Sequence, residues 1–172
     1  MKFILSLVLR NKLWLKIIVA WLMATIVYIF WNFYYRIQIN ITSSMPQKLW
    51  ILKVGDKQVK IGDYVIAKFH DQRMLYPDQY EQVVKQIGGV SGNTIEYRLL
   101  GTHQVYVLNN KTYQIFESLS GYYFHPLTDK DLVIPQGYYF LHGQHNPTFD
   151  SRYKEFGLII ESQIIGKAVP IF

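Results

Sequence analysis

Nineteen consecutive residues without a charge, Ile17 to Tyr35 (IIVAWLMATIVYIFWNFYY), constrain this chain more than any other feature. At about 1.5 Å per residue, a helix of that length matches the hydrocarbon core of a bilayer. Thr25 and Asn32 are its polar interruptions, and Met1 to Tyr35 has no polar face with which a soluble core helix would meet water. The run predicts one transmembrane helix. Lys2, Arg10, Lys12 and Lys16 precede it, and no Asp or Glu occurs before Asp56. The positive-inside bias therefore predicts a cytoplasmic N-terminus, with Trp31, Tyr34 and Tyr35 at the opposite interface. A cleavable signal peptide is the alternative, but bulky Tyr35, Arg36 and Ile37 stand where small residues would mark a cleavage site, which favours a retained anchor. The expected division is a basic cytoplasmic tail over 1–16, an anchor over 17–35 and one extracytoplasmic domain over 36–172. The placement of residues 1–12 relative to the membrane stays open.

The formal net charge of +6 resides largely in that tail, so nucleic acid is not an expected partner. The chain has no cysteine, which excludes disulfides, a thiol nucleophile and a thiolate zinc site. Beyond Asn40 there is enough sequence for one domain with a core, and no Ser/Gly/Pro linker or low-complexity run divides it. Short β-branched and aromatic segments dominate: Asp63 to Phe69, Gln82 to Ile87, Thr94 to Arg98, Gln104 to Leu108, Tyr113 to Phe116, Tyr138 to Leu141 and Ile164 to Val169. Asn109-Asn110-Lys111 reads as a hairpin turn, because Asn tolerates the left-handed backbone of tight turns. The echo of GYYF at Gly121 and Gly137 suggests two similar strands, and Pro77 to Gln82 a short helix or turn. The fold class expected is mainly β, an antiparallel domain after a single N-terminal transmembrane helix.

Three clusters could carry chemistry: Thr42-Ser43-Ser44-Met45-Pro46, Val83 to Gly89 (VVKQIGG), and Gly143 to Tyr153 (GQHNPTFDSRY). Alone, SSMP is no more than a turn leaving the membrane. Lys85 lies in an apolar strand; a strand lysine ordinarily points to water, yet one folded among apolar neighbours has its charged form disfavoured. A lysine held neutral can take the proton of a serine hydroxyl, so a serine nucleophile needs neither His nor Asp.

Ser44-Met45-Pro46, the VVKQIGGVSGN stretch around Lys85 and the downstream FDSRY, in that order, resemble the signature regions of type I signal peptidases, membrane-anchored serine–lysine proteases. The resemblance implies a signal-peptidase-like β catalytic domain with Ser44 as nucleophile and Lys85 as general base. It implies an oxyanion hole from the Thr42 hydroxyl and the Ser44 amide, Thr148 orienting the lysine, and Asp150 and Arg152 in support. Extended substrate is expected to pair with strands around Asn40 to Ser44 and Val83 to Lys85. No cofactor or metal is implied.

GQHNPTFDSRY departs from the GDN-type start of housekeeping enzymes and is one residue shorter before its Asp-Ser-Arg. With a single anchor and a small domain, it is more similar to the TraF-type peptidases of bacterial conjugation systems. Those mature pilin subunits, some joining the ends into a cyclic product, and their signature aspartate is tied to activity, which implies a role for Asp150 beyond support. The partners implied are a preprotein or prepilin, membrane lipid and a conjugation or secretion machinery. The location implied is the bacterial inner membrane, with a periplasmic catalytic domain. Competing readings are a general secretory signal peptidase, a non-catalytic envelope assembly domain, a metal site using His142, His145 and Asp150, and a Ser44, His145 and Asp150 triad. His70, His103 and His125 carry no separate signal.

Overall fold

The computed structural model describes residues 2–42, 44–69, 81–119 and 121–171, with residues 2–11 described by backbone alone. The chain divides into two compact units, Met1–Arg36 and Ile37–Phe172. The first is a helix, α1 (Lys2–Tyr34), longer than the uncharged run because no Gly or Pro breaks the sequence before it. Within it, Lys12–Tyr34 is long and apolar enough to cross a membrane. Its large apolar side chains, Trp21, Val27, Phe30 and Phe33 among them, are exposed, the reverse of a soluble core helix. It is therefore a candidate membrane span or signal sequence. Its polar interruptions bond inside the helix, Thr25 Oγ1 donating to the Trp21 carbonyl at 2.8 Å and Asn32 Nδ2 to the Tyr28 carbonyl at 3.0 Å, which spares them the cost of an unsatisfied group in lipid.

The second unit is mainly antiparallel β. In chain order its strands are β1 (Tyr35–Ile39), β2 (Leu49–Val54), β3 (Tyr64–Phe69), β4 (Glu81–Gly89), β5 (Thr94–Leu100), β6 (His103–Leu108) and β7 (Lys111–Gln114). Then come β8 (Ser118–Leu119), β9 (Tyr122–Tyr123), β10 (Leu132–Val133), β11 (Tyr138–His142), β12 (Ile159–Ile160) and β13 (Ile164–Pro170). One sheet runs β1-β2-β13-β3-β4-β11-β12, a second β10-β5-β6-β7, and β8 pairs with β9. The seven expected segments correspond to β3, β4, β5, β6, β7, β11 and β13. Lys111 is already in β7, so the hairpin turn is the two residues Asn109 (φ 51°) and Asn110 (φ 61°), closed by the Leu108–Lys111 pair. Positive φ at both positions is what a turn matching the strand twist requires. The two GYYF copies lead into β9, which is exposed, and β11, which is largely buried. Of the short helix or turn expected over 77–82, residues 77–80 lie outside the described residues, and Glu81 and Gln82 belong to β4.

Alternation along β4 distributes its side chains between two apolar clusters. Val84 packs with Met45, Trp50, Leu52, Ile66 and Ala168. Ile87 packs with Val65, Ala67, Phe69, Leu141 and Phe156. A third cluster, around Tyr106, Phe140 and Tyr153, fills the region of the smaller sheet.

Candidate active site

The segment expected to pair as a strand, Asn40 to Ser44, is instead a turn in its described residues, since β1 ends at Ile39. Two local causes are evident. Asn40 bonds across the turn, its Nδ2 donating to the carbonyls of Thr42 (3.2 Å) and Gln47 (3.5 Å) while its Oδ1 accepts from the Thr42 amide (3.2 Å) and hydroxyl (2.8 Å). Such side-chain bonds compete with a sheet ladder, and Pro46 has no amide hydrogen to donate to one. Met45, 2% exposed, anchors the turn in the core. Ser44 is left half-buried, with Oγ 2.8 Å from Thr42 Oγ1.

Lys85 pairs with Val65 across β3 and β4, so both side chains lie on one face of the sheet. It is 4% exposed, and its Nζ donates to the Phe149 carbonyl at 2.8 Å. Burial pulls its pKa down to about 8; the Asp150 carboxylate opposes the fall and the Arg152 charge adds to it.

Beside the lysine, Asp150 and Arg152 form a buried pair, 0% and 1% exposed. Arg152 Nε donates to Asp150 Oδ1 at 2.8 Å and Nη2 to Oδ2 at 2.9 Å. Burial by itself would raise the Asp150 pKa, but the guanidinium charge and its hydrogen bonds outweigh it and hold the carboxyl below its usual range. Further Arg152 donors reach the Gln114 carbonyl (2.7 Å), Asn146 Oδ1 (2.8 Å) and the Thr148 carbonyl (3.1 Å). Thr148 gives its hydroxyl hydrogen to Asp150 Oδ2 at 2.6 Å, so the hydrogen bond on Lys85 comes from the neighbouring Phe149 backbone.

Gly143 lets this cluster approach the serine turn. A Cβ at that position would lie 2.6 Å from Thr148 Oγ1 and 2.9 Å from the Ser44 carbonyl oxygen. The next amide, Gln144 N, donates to that same oxygen at 2.9 Å.

Thr42, Ser44, Lys85 and Thr148 line one cleft of about 380 Å³, walled by apolar side chains including Phe69, Val83, Leu119 and Phe149. Asp150 and Arg152, both buried, are bonded to its Thr148. His142 is buried, its Nδ1 donating to the Gly143 carbonyl at 2.8 Å. Among the described residues no three His, Cys, Asp or Glu gather as for a metal, and the Asp150 oxygens receive Arg152, Thr148 and the Gly143 amide rather than a histidine ring. Asn40 and the Phe149 carbonyl were not anticipated from sequence. An Asn two residues before a Thr is a turn signal that could have indicated the first; a backbone carbonyl leaves no side-chain signature.

The sequence matches the family described as "Signal peptidase, peptidase S26" over residues 10–172. It is 26% identical over 148 residues to the conjugal transfer protein TraF of Agrobacterium fabrum, covering 78% of this chain and 81% of that protein.

Proposed function

The chain belongs to the signal peptidase family, peptidase S26, and is a protease of that type; from that premise we propose that it is a serine–lysine endopeptidase maturing the prepilin of a conjugative transfer system. Neutral Lys85 takes the Ser44 proton, and Ser44 Oγ attacks the scissile carbonyl. The Ser44 amide and Thr42 hydroxyl hold the oxyanion, and Lys85 returns its proton to the leaving amine. Water, or the substrate's own terminal amine in a cyclising reaction, then releases the acyl group. Asp150, Arg152 and Thr148 keep the wall around Lys85 in place, with the Phe149 carbonyl orienting its amine. Apolar walls favour small uncharged side chains, and an extended substrate lies against β4. The helix is a retained anchor with its N-terminus cytoplasmic and the catalytic domain periplasmic.

The observation that carries this reading is that Ser44 and Lys85 line the same cleft while Lys85 is buried enough to bring its pKa to about 8. The conjugation assignment is supported by likeness to a conjugal transfer protein. Its test is processing of a membrane-inserted prepilin by wild type, Ser44→Ala and Lys85→Ala, with product masses measured. Both variants should fold and leave the precursor uncut, and a wild-type product one water lighter than the linear form identifies cyclisation. Normal processing by both variants would remove the dyad; cleavage of unrelated secretory preproteins as fast as prepilin would make the enzyme a general signal peptidase.

A further inference from the structure

We propose that Asn40 is a positioning residue that holds the Ser44 hydroxyl for reaction through Thr42. This rests on Ser44 being the nucleophile. Asn40 is only 6% exposed, and its neighbours fix its orientation: two carbonyls, Thr42 and Gln47, require its NH₂ group, and the Thr42 amide requires its oxygen. Its own amide donates to the Lys48 carbonyl at 2.7 Å, so it ties together both ends of the turn that bears Ser44.

The directions of the hydrogen bonds follow by counting protons. Thr42 has one hydroxyl hydrogen and gives it to Asn40 Oδ1 at 2.8 Å. The 2.8 Å contact between Thr42 Oγ1 and Ser44 Oγ is then one in which Ser44 donates and Thr42 accepts. Asn40 thereby sets the polarity of a chain running from Ser44 through Thr42 to the buried amide. The serine oxygen is held at a fixed place on the cleft wall, with its hydrogen parked on Thr42. On reaction that hydrogen leaves Thr42 for Lys85, which lines the same cleft. Asn40 keeps the Thr42 oxygen in place throughout, so that its hydroxyl shares its hydrogen between Asn40 Oδ1 and the forming oxyanion. Without Asn40 the Thr42 hydroxyl has no fixed direction, and Ser44 loses its resting partner.

The test is a double-mutant cycle in the full-length chain in lipid vesicles, following cleavage of a peptide spanning the processing site, with thermal unfolding as a control. Asn40→Ala is expected to lower kcat about 30- to 100-fold with KM nearly unchanged, as for an interaction made to orient the reacting group. In a Thr42→Val background, where the hydroxyl link is already gone, Asn40→Ala should cost less than about threefold more. Equal losses in both backgrounds, or a loss mainly in KM, would make Asn40 a staple of the turn and overturn the inference. If Asn40→Ala does not fold, Asn40→Asp takes its place: it keeps an acceptor that binds the Thr42 hydrogen more tightly, and its loss must again vanish in Thr42→Val. Ser44→Ala is run alongside. Activity in that variant refutes the nucleophile assignment itself, whereas an inactive Ser44→Ala beside a fully active Asn40→Ala refutes only the role of Asn40.

Discussion

The two walls of the cleft are built by opposite means. On the serine side, the bonds by which Asn40 shapes the turn join residues no more than eight apart, as far as Lys48, with the Gln144 amide on the Ser44 carbonyl as a long-range tie, and Thr42 is open to solvent. On the lysine side, Lys85 meets Phe149 across 64 positions of sequence and Arg152 meets Gln114 across 38, and nearly everything is buried. The contrast follows from what each group needs. A hydroxyl is oriented by directional bonds, which short-range geometry supplies even beside water. An amine is kept neutral by desolvation, which only a core assembled from distant segments supplies.

Removing either group tests the contrast most severely. Ser44→Ala and Lys85→Met should each reduce kcat by about 10⁴-fold or more, measured in single-turnover cleavage, but their stabilities should diverge. Ser44→Ala should be nearly neutral. Lys85→Met should be more stable than wild type at pH 7, by at most about 3 kcal/mol for a pKa lowered from 10.5 to about 8. The sign follows from which form is penalised: burial opposes the charged amine, so the cost is complete below about pH 8 and is relieved as pH rises toward 10.5. Denaturant unfolding at pH 7 and pH 10 should therefore show the gap closing. A gap that widened with pH would contradict the desolvation account.

Asp150→Asn breaks the lysine wall by leaving the Arg152 charge buried without its partner. Such a loss costs about 3–5 kcal/mol, read as a lower denaturant midpoint. Because the Asp150 carboxylate holds the Lys85 pKa up, the acid limb of the pH–rate profile should also move down. A profile that stays in place would separate Asp150 from the electrostatics of the lysine.

Gly143→Ala acts where the walls meet, forcing Thr148 and the Ser44 carbonyl apart. It should cost about 1–3 kcal/mol in stability and about 100-fold in kcat through misplacement of the serine. The gentlest test changes no residue. In the wild type, kcat/KM should rise roughly tenfold from pH 7 to pH 9 as Lys85 passes through its pKa of about 8. A flat profile would mean that another group is the base.

The chain of amino acids by itself determined what depends on neighbours along the backbone. The uncharged run from Ile17 to Tyr35 announced an apolar helix, Asn109-Asn110 announced a hairpin, and β-branched and aromatic segments announced β3 to β7, because each pattern reflects local dihedral preference and side-chain period. The clusters around Ser44, Lys85 and Asp150 could be picked out for the same reason, as short strings with distinctive side chains. Tertiary structure decided the rest. Strands of two residues, such as β10 and β12, exist only because a longer strand lies alongside them. Asn40 to Ser44 carries β-branched residues suited to a strand, yet the bonds of Asn40 and the burial of Met45 bend it into a turn. Whether Lys85 would point to water or into the core was not written in VVKQI. That was settled when β3 and the Phe149 to Arg152 segment closed over it, since desolvation is a property of the assembled surroundings and not of the residue.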